Sequence, residues 1–147
     1  MLPMRLSRRL ASAAGQSAAR PSTAAWASMR ALHATPRNGK VHEVKSVDEF
    51  ESTVKSKAKV IVDGFATWCG PCKAIAPMME KLSEEPQFKE QVHFVKFDVD
   101  ELPQVTQLLG VRAMPTFVLF RDGVKEGELV GADPKALATA VAKLADG

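Results

Sequence analysis

The chain has 147 residues, 46% hydrophobic, 25% charged and 6% aromatic, a balance that excludes intrinsic disorder and fibrous repeats and provides one ordinary domain with length to spare. A formal charge of +3 and an isoelectric point near 9.0 would suggest nucleic acid or an anionic membrane as a partner. The charge is divided, however: residues 1–40 hold seven basic and no acidic side chains, whereas residues 41–147 hold 13 basic and 17 acidic.

Residues 1–39 are rich in Ala, Ser and Arg, and Gly15, Gln16, Ser17 and Arg20 interrupt any apolar run long enough for the core of a secretory signal. Arg5, Leu6, Arg9, Leu10, Ala13 and Ala14 can form a short helix with one basic and one apolar face, the kind of surface that import receptors and anionic membranes bind. This is the pattern of an organellar transit peptide; outside plants its destination is the mitochondrial matrix. Arg30-Ala31-Leu32 followed by Thr35 resembles a matrix-processing pattern with the cut after Gly39, and a cut near Leu32 is the alternative. A disordered basic tail for acidic partners is the plainer reading of the same residues. No stretch reaches the roughly 18 apolar residues that span a bilayer. Residues 40–147 are expected to be the working domain, a monomer with no nucleic-acid partner and no membrane contact after import.

Within that domain Val41–Val44 predicts a short strand, and Ser46-Val47-Asp48-Glu49 reads as a capping box opening a helix to about Ser56. Lys59–Ala66, with Val60-Ile61-Val62, suits a strand buried on both faces. After the Trp68–Lys73 segment comes a helix with Ile75, Met78, Met79 and Leu82 at helical spacing, the two methionines serving as core and helix surface, and Pro77 kinking it. Val92–Val99 predicts the next strand, and Pro103 opens a short helix carrying Val105, Leu108 and Leu109 and ended by Gly110. Thr116–Arg121 and Val124–Val130 form a hairpin through Asp122-Gly123. Asp133 caps a last helix with Pro134 in its first turn and a stripe of Leu137, Val141 and Leu144. The order β-α-β-α-β-α-β-β-α predicts an α/β domain: a mixed five-stranded sheet flanked by four helices.

The only cysteines are Cys69 and Cys72. A structural zinc site would need two more ligands, but His33 lies in the leader and His42 and His93 stand singly in strand patterns. A purely structural disulfide across so short a loop would constrain little of the unfolded chain. Reversible dithiol chemistry fits best. Cys69 follows a buried strand and opens a helix, where free N–H groups and the helix dipole favour a thiolate, which makes it the expected nucleophile. Cys72, one turn on, is placed to resolve a mixed disulfide on Cys69. Gly70 allows close approach of a partner chain, and Pro71 fixes the turn.

The segment Trp68-Cys69-Gly70-Pro71-Cys72-Lys73 resembles the active site of the thioredoxin family. The likeness extends to Asp63, six residues before Cys69, to Ala76-Pro77, Lys96, Asp98-Val99-Asp100, Met114-Pro115-Thr116, Gly123 and Val130-Gly131-Ala132, and so over essentially all of residues 41–147. It implies the thioredoxin fold and a protein-disulfide reductase, with no bound cofactor or metal, that receives electrons originating in NADPH from a thioredoxin reductase. No Gly-rich dinucleotide fingerprint precedes a helix, so the chain itself is not expected to bind NADPH. Peroxiredoxins and methionine sulfoxide reductases are the implied targets.

By the same resemblance Asp63 is a buried proton acceptor and donor for Cys72 through a water, and burial, which makes the charged carboxyl costly, is expected to raise its pKa; the plainer reading of the same residue is an aspartate paired with Lys96 on the neighbouring strand, and both can hold at once. Pro115 is cis and leaves the Met114 backbone free for a substrate strand; only about 5% of X-Pro bonds are cis, so this expectation rests on the family. Trp68, Gly70, Pro71, Met114, Pro115 and Gly131 are the implied substrate contacts, with Trp68 a flat apolar surface beside Cys69.

Gly64 departs from the family, which usually has a bulky apolar residue or cysteine there; Phe65, Phe94 and Phe97 are the candidates to fill the space, or a cavity remains. Two other functions use the same fold. An oxidase or isomerase usually carries histidine between the cysteines, where this chain has Pro71. A holdase without redox turnover would not require both cysteines with Asp63 and Pro115.

Overall fold

The structure, a computed structural model, describes residues 40–147; the leader expected in residues 1–39 lies outside the described residues. Strands β1 (His42–Glu43), β2 (Lys59–Phe65), β3 (His93–Asp98), β4 (Thr116–Arg121) and β5 (Val124–Val130) form one sheet in the order β1-β3-β2-β4-β5. β3 runs parallel to β1 and β2, and β4 is antiparallel to β2 and β5. The helices are α1 (Val47–Ser56), α2 (Gly70–Glu84), α3 (Pro86–Lys89), α4 (Pro103–Leu109) and α5 (Pro134–Asp146).

The mixed sheet and the four expected helices are present, and the structure adds α3. That single turn has Pro86 at its start and buries only Phe88, too little periodicity for a sequence pattern to show. α1 is capped as its sequence predicts: Ser46 Oγ accepts from the Glu49 N–H at 3.2 Å, while the Glu49 carboxylate takes the Lys45 N–H at 2.8 Å. The hairpin between β4 and β5 needs two successive residues with positive φ, supplied by Asp122 (50°) and Gly123 (80°).

Strand alternation divides the core. Val60 and Val62 pack with Phe50, Val54, Val105 and Leu109 of α1 and α4, whereas Ile61 packs with Ile75, Met79, Leu137, Val141 and Leu144 of α2 and α5. Asp63 follows Ile61 by two residues on β2 and so points to the face that α2 and α5 cover. Met79 is in that core and Met78 is packed partly against it.

No cavity remains at Gly64. A Cβ there would lie 3.3 Å from two ring atoms of the fully buried Phe97, so Phe97 takes the space that a larger side chain would need. The sheet has a two-residue strand at one edge; at the other, β5 carries exposed Lys125, Glu126 and Glu128 and a register shift opposite Leu119 and Phe120. Among the described residues no helix is long and apolar enough to cross a membrane.

Candidate functional site

β2 ends beside the start of α2, and the turn between them presents the two cysteines. Cys69 is the N-cap of α2 in extended conformation, with Pro71 in the first turn. Its Sγ accepts the Cys72 N–H at 3.2 Å, and Cys69 and Cys72 are joined as a disulfide with Cα atoms 5.3 Å apart. Both are almost wholly covered, at 5% and 4% exposure, so exposure does not distinguish them; position does. Only Cys69 Sγ lies at the helix mouth, where a negative charge meets a backbone donor and the positive end of the dipole.

Gly70, Pro71 and Trp68 are exposed around this turn. Trp68 is 67% exposed and is not a core residue; its indole Nε1 donates to Asp100 Oδ2 at 2.9 Å. Asp100 is in turn set by the buried Asp98, whose carboxylate accepts its N–H at 2.9 Å. Sequence pattern assigned neither aspartate a contact, because what joins them to Trp68 is a loop-to-loop approach with no local signature.

The Met114–Pro115 peptide is cis. Its segment lies against the redox pair, with the Met114 carbonyl oxygen 3.7 Å from Cys69 Sγ, and the Pro115 carbonyl accepts the Gly131 N–H at 2.9 Å. Gly131 has φ 101°, a conformation that suits glycine. Thus Cys69, Cys72, Met114, Pro115 and Gly131, distant in sequence, form one patch, with Trp68 on its rim.

Asp63 lies deeper. It is 4% exposed, and its Oδ1 has no hydrogen-bond partner. Burial pushes its pKa up to about 7, with the Lys96 charge pulling weakly the other way. The expected pairing of Asp63 with Lys96 is corrected by the structure. The two are in register across β2 and β3, but the Lys96 ammonium makes its ion pair with Glu43 at 3.4 Å and sits 5.3 Å from the Phe65 ring centre. Lys96 therefore acts on Asp63 through space.

Among the described residues, the two histidines make their contacts elsewhere. His42 Nε2 shares a hydrogen bond with Glu49 at 2.8 Å, and half-buried His93 is pushed down to about 4 by burial, with Lys57 and His42 adding to the shift. Among the described residues no group of three His, Cys, Asp or Glu side chains is placed to hold a metal.

The thioredoxin family model matches residues 41–143. The chain belongs to the thioredoxin family. Thioredoxin-2 of Pyricularia oryzae is 48% identical over 120 residues, which span 81% of this chain and 68% of that protein. The solved thioredoxin of Malassezia sympodialis superposes with a TM-score of 0.70 at 43% identity, covering 78% of this chain and 98% of that one. Mitochondrial thioredoxin 3 of Saccharomyces cerevisiae, in its oxidised form, gives 0.65 at 41% identity, covering 71% and 95%. This member of the thioredoxin family is a protein-disulfide oxidoreductase whose redox centre is the Cys69–Cys72 pair.

Proposed function

We propose that the chain is a mitochondrial matrix thioredoxin, carried in by residues 1–39 and acting through residues 40–147 as a general reductase of protein disulfides. The observation that carries the chemistry is the placement of Cys69 Sγ at the α2 N-cap, accepting the Cys72 N–H. After two electrons arrive from NADPH through a thioredoxin reductase, the Cys69 thiolate attacks a target disulfide. One Cys69–target bond forms, the target bond breaks, and its first sulfur leaves as a thiolate. Asp63, as a carboxylate, takes the Cys72 proton through a water; the Cys72 thiolate then attacks Cys69 Sγ and releases the second target sulfur. Both target thiolates are protonated, and the Cys69–Cys72 disulfide is restored. A pKa near 7 suits Asp63 to both accepting and returning a proton at neutral pH.

Trp68, Gly70, Pro71, Met114, Pro115 and Gly131 are assigned to the target chain, which lies as an extended segment along the Met114 backbone. Their gathering around Cys69 supports this. Peroxiredoxins and methionine sulfoxide reductases are the proposed targets. The matrix address is supported by the acid-free basic leader and by likeness to a mitochondrial relative.

Purified residues 40–147, given NADPH and thioredoxin reductase, are expected to reduce insulin disulfides; failure with the chain folded and both thiols titratable would overturn the reductase function. Deleting residues 1–39 is expected to abolish matrix import, and efficient import of the deletion would overturn the address.

A further inference from the structure

Three charged residues stand abreast on neighbouring strands. Glu43 of β1 is in register with Lys96 of β3, and Lys96 with Asp63 of β2, so one cation stands between two carboxyl groups on the same sheet face. The outer carboxyl holds it. Lys96 Nζ is 3.4 Å from Glu43 Oε2, and the other Glu43 oxygen pairs with Lys45, which also reaches Glu101 Oε2 at 3.0 Å. Phe65 supports the ammonium from below. The inner carboxyl is left with its Oδ1 buried and unpartnered.

The physical choice is clear. At Glu43, whose side chain is 32% exposed, the ammonium keeps part of its hydration, whereas pairing with Asp63 would require stripping it. Little else bears on Asp63. β4 offers Phe117 in register; α2 has no acidic residue in its first turn, its Lys73 is exposed and its Cys72 is uncharged in the disulfide; Lys135 and Lys143 of α5 are exposed; and Asp98, further along β3, is engaged with the Asp100 N–H.

We propose that Glu43 is a positioning residue for the redox site: by holding Lys96 at the sheet edge, it keeps that cation from pairing with Asp63 and so sets the pH at which Asp63 exchanges its proton. The raised pKa of Asp63 agrees with this arrangement. The proposal rests on the assignment of Asp63 as proton carrier, and the experiment separates the two.

The Asp63 carboxyl is titrated by carbon-13 NMR in the oxidised protein, where neither cysteine titrates and the midpoint belongs to Asp63 alone. Glu43→Gln is expected to lower that midpoint by about one unit as Lys96 turns inward, Lys96→Met to raise it, and Glu43→Asp to restore it. Removing a negative charge would also lower the midpoint directly, so the deciding arm is Glu43→Gln in the Lys96→Met background. A much smaller shift there, the direct effect of the lost charge alone, supports the proposal. A shift equal to that in the wild-type background, or no shift from Glu43→Gln alone, overturns it. The pH profile of insulin reduction should move with the Asp63 midpoint. A midpoint that moves while the profile stays fixed upholds the role of Glu43 and overturns the proton role of Asp63.

Discussion

Helices α2 and α5 begin alike: each has proline in its first turn, and each packs on the same face of the sheet. Their caps differ. Asp133 Oδ1 accepts two N–H groups, those of Lys135 at 2.9 Å and Ala136 at 3.1 Å, whereas Cys69 Sγ accepts one. A carboxylate satisfies a helix start with a full charge; a disulfide sulfur is a weak, neutral acceptor. The start of α5 is therefore built for stability. At α2 a charged cap exists only when the bond to Cys72 is open, so the helix end favours the state that attacks.

Cysteine substitutions should break the α2 side of this contrast most completely. Cys69→Ser keeps a good capping oxygen and loses all disulfide-reducing turnover. Cys72→Ser retains the first attack, so mixed disulfides through Cys69 accumulate and can be trapped on gels. Equal trapping by the two variants would reverse the assigned roles.

Next comes the buried carboxyl beneath α2. A pKa raised from 3.8 to about 7 means that Asp63 contributes stability fully below pH 4, and that this is lost as pH rises through 7. About three units at 1.36 kcal/mol each give roughly 4 kcal/mol as an upper figure. Asp63→Asn should accordingly raise the melting temperature at pH 8, have little effect at pH 4, and slow mixed-disulfide resolution. His93 has the opposite slope: with its pKa pushed down from 6.5 to about 4, it contributes stability present above 6.5 and lost as pH falls through 4. Thermal melts of Asp63→Asn between pH 5 and 6.5, above the range where Glu43, Glu49 and Glu126, held below their usual 4.5, add a slope of the same sign, should reveal that slope, stability rising with pH; a flat profile would count against the buried neutral state of His93.

Gly64→Val places a Cβ 3.3 Å from the Phe97 ring, tighter than an ordinary contact, and should cost about 1–3 kcal/mol, read as a lower denaturation midpoint. A gain would mean that Phe97 can move aside. The smallest effect is at the other helix: Asp133→Ala should remove about 1 kcal/mol with insulin reduction unchanged. A loss of activity comparable to that of a cysteine variant would erase the contrast between the two caps.

Much of the fold was legible because its punctuation is local. Ser46, Pro103, Gly110, Asp122-Gly123 and Asp133 mark ends by side-chain chemistry or backbone freedom within a few residues. Cys69 at a helix mouth was legible for the same reason. What escaped depends on register between strands far apart in sequence. Lys96 was expected to pair with Asp63, yet nothing local tells that β1 sets Glu43 on its other side. Asp100 escaped because only the folded loop brings it to Trp68. The cis bond before Pro115 was expected from family resemblance, not from composition or spacing.

The sheet edges have a consequence for how this domain can be handled by the cell. A strand with a free edge invites another strand to join it, and repeated joining ends in aggregates. Here β1 offers two residues, and β5 offers a bulged margin lined with Lys125, Glu126 and Glu128. Val124 and Val130 are exposed at the two ends of β5, so it is the charged, bulged middle of that strand that works against joining. Replacing Lys125 and Glu128 with apolar residues should therefore make the concentrated domain more prone to edge-to-edge association.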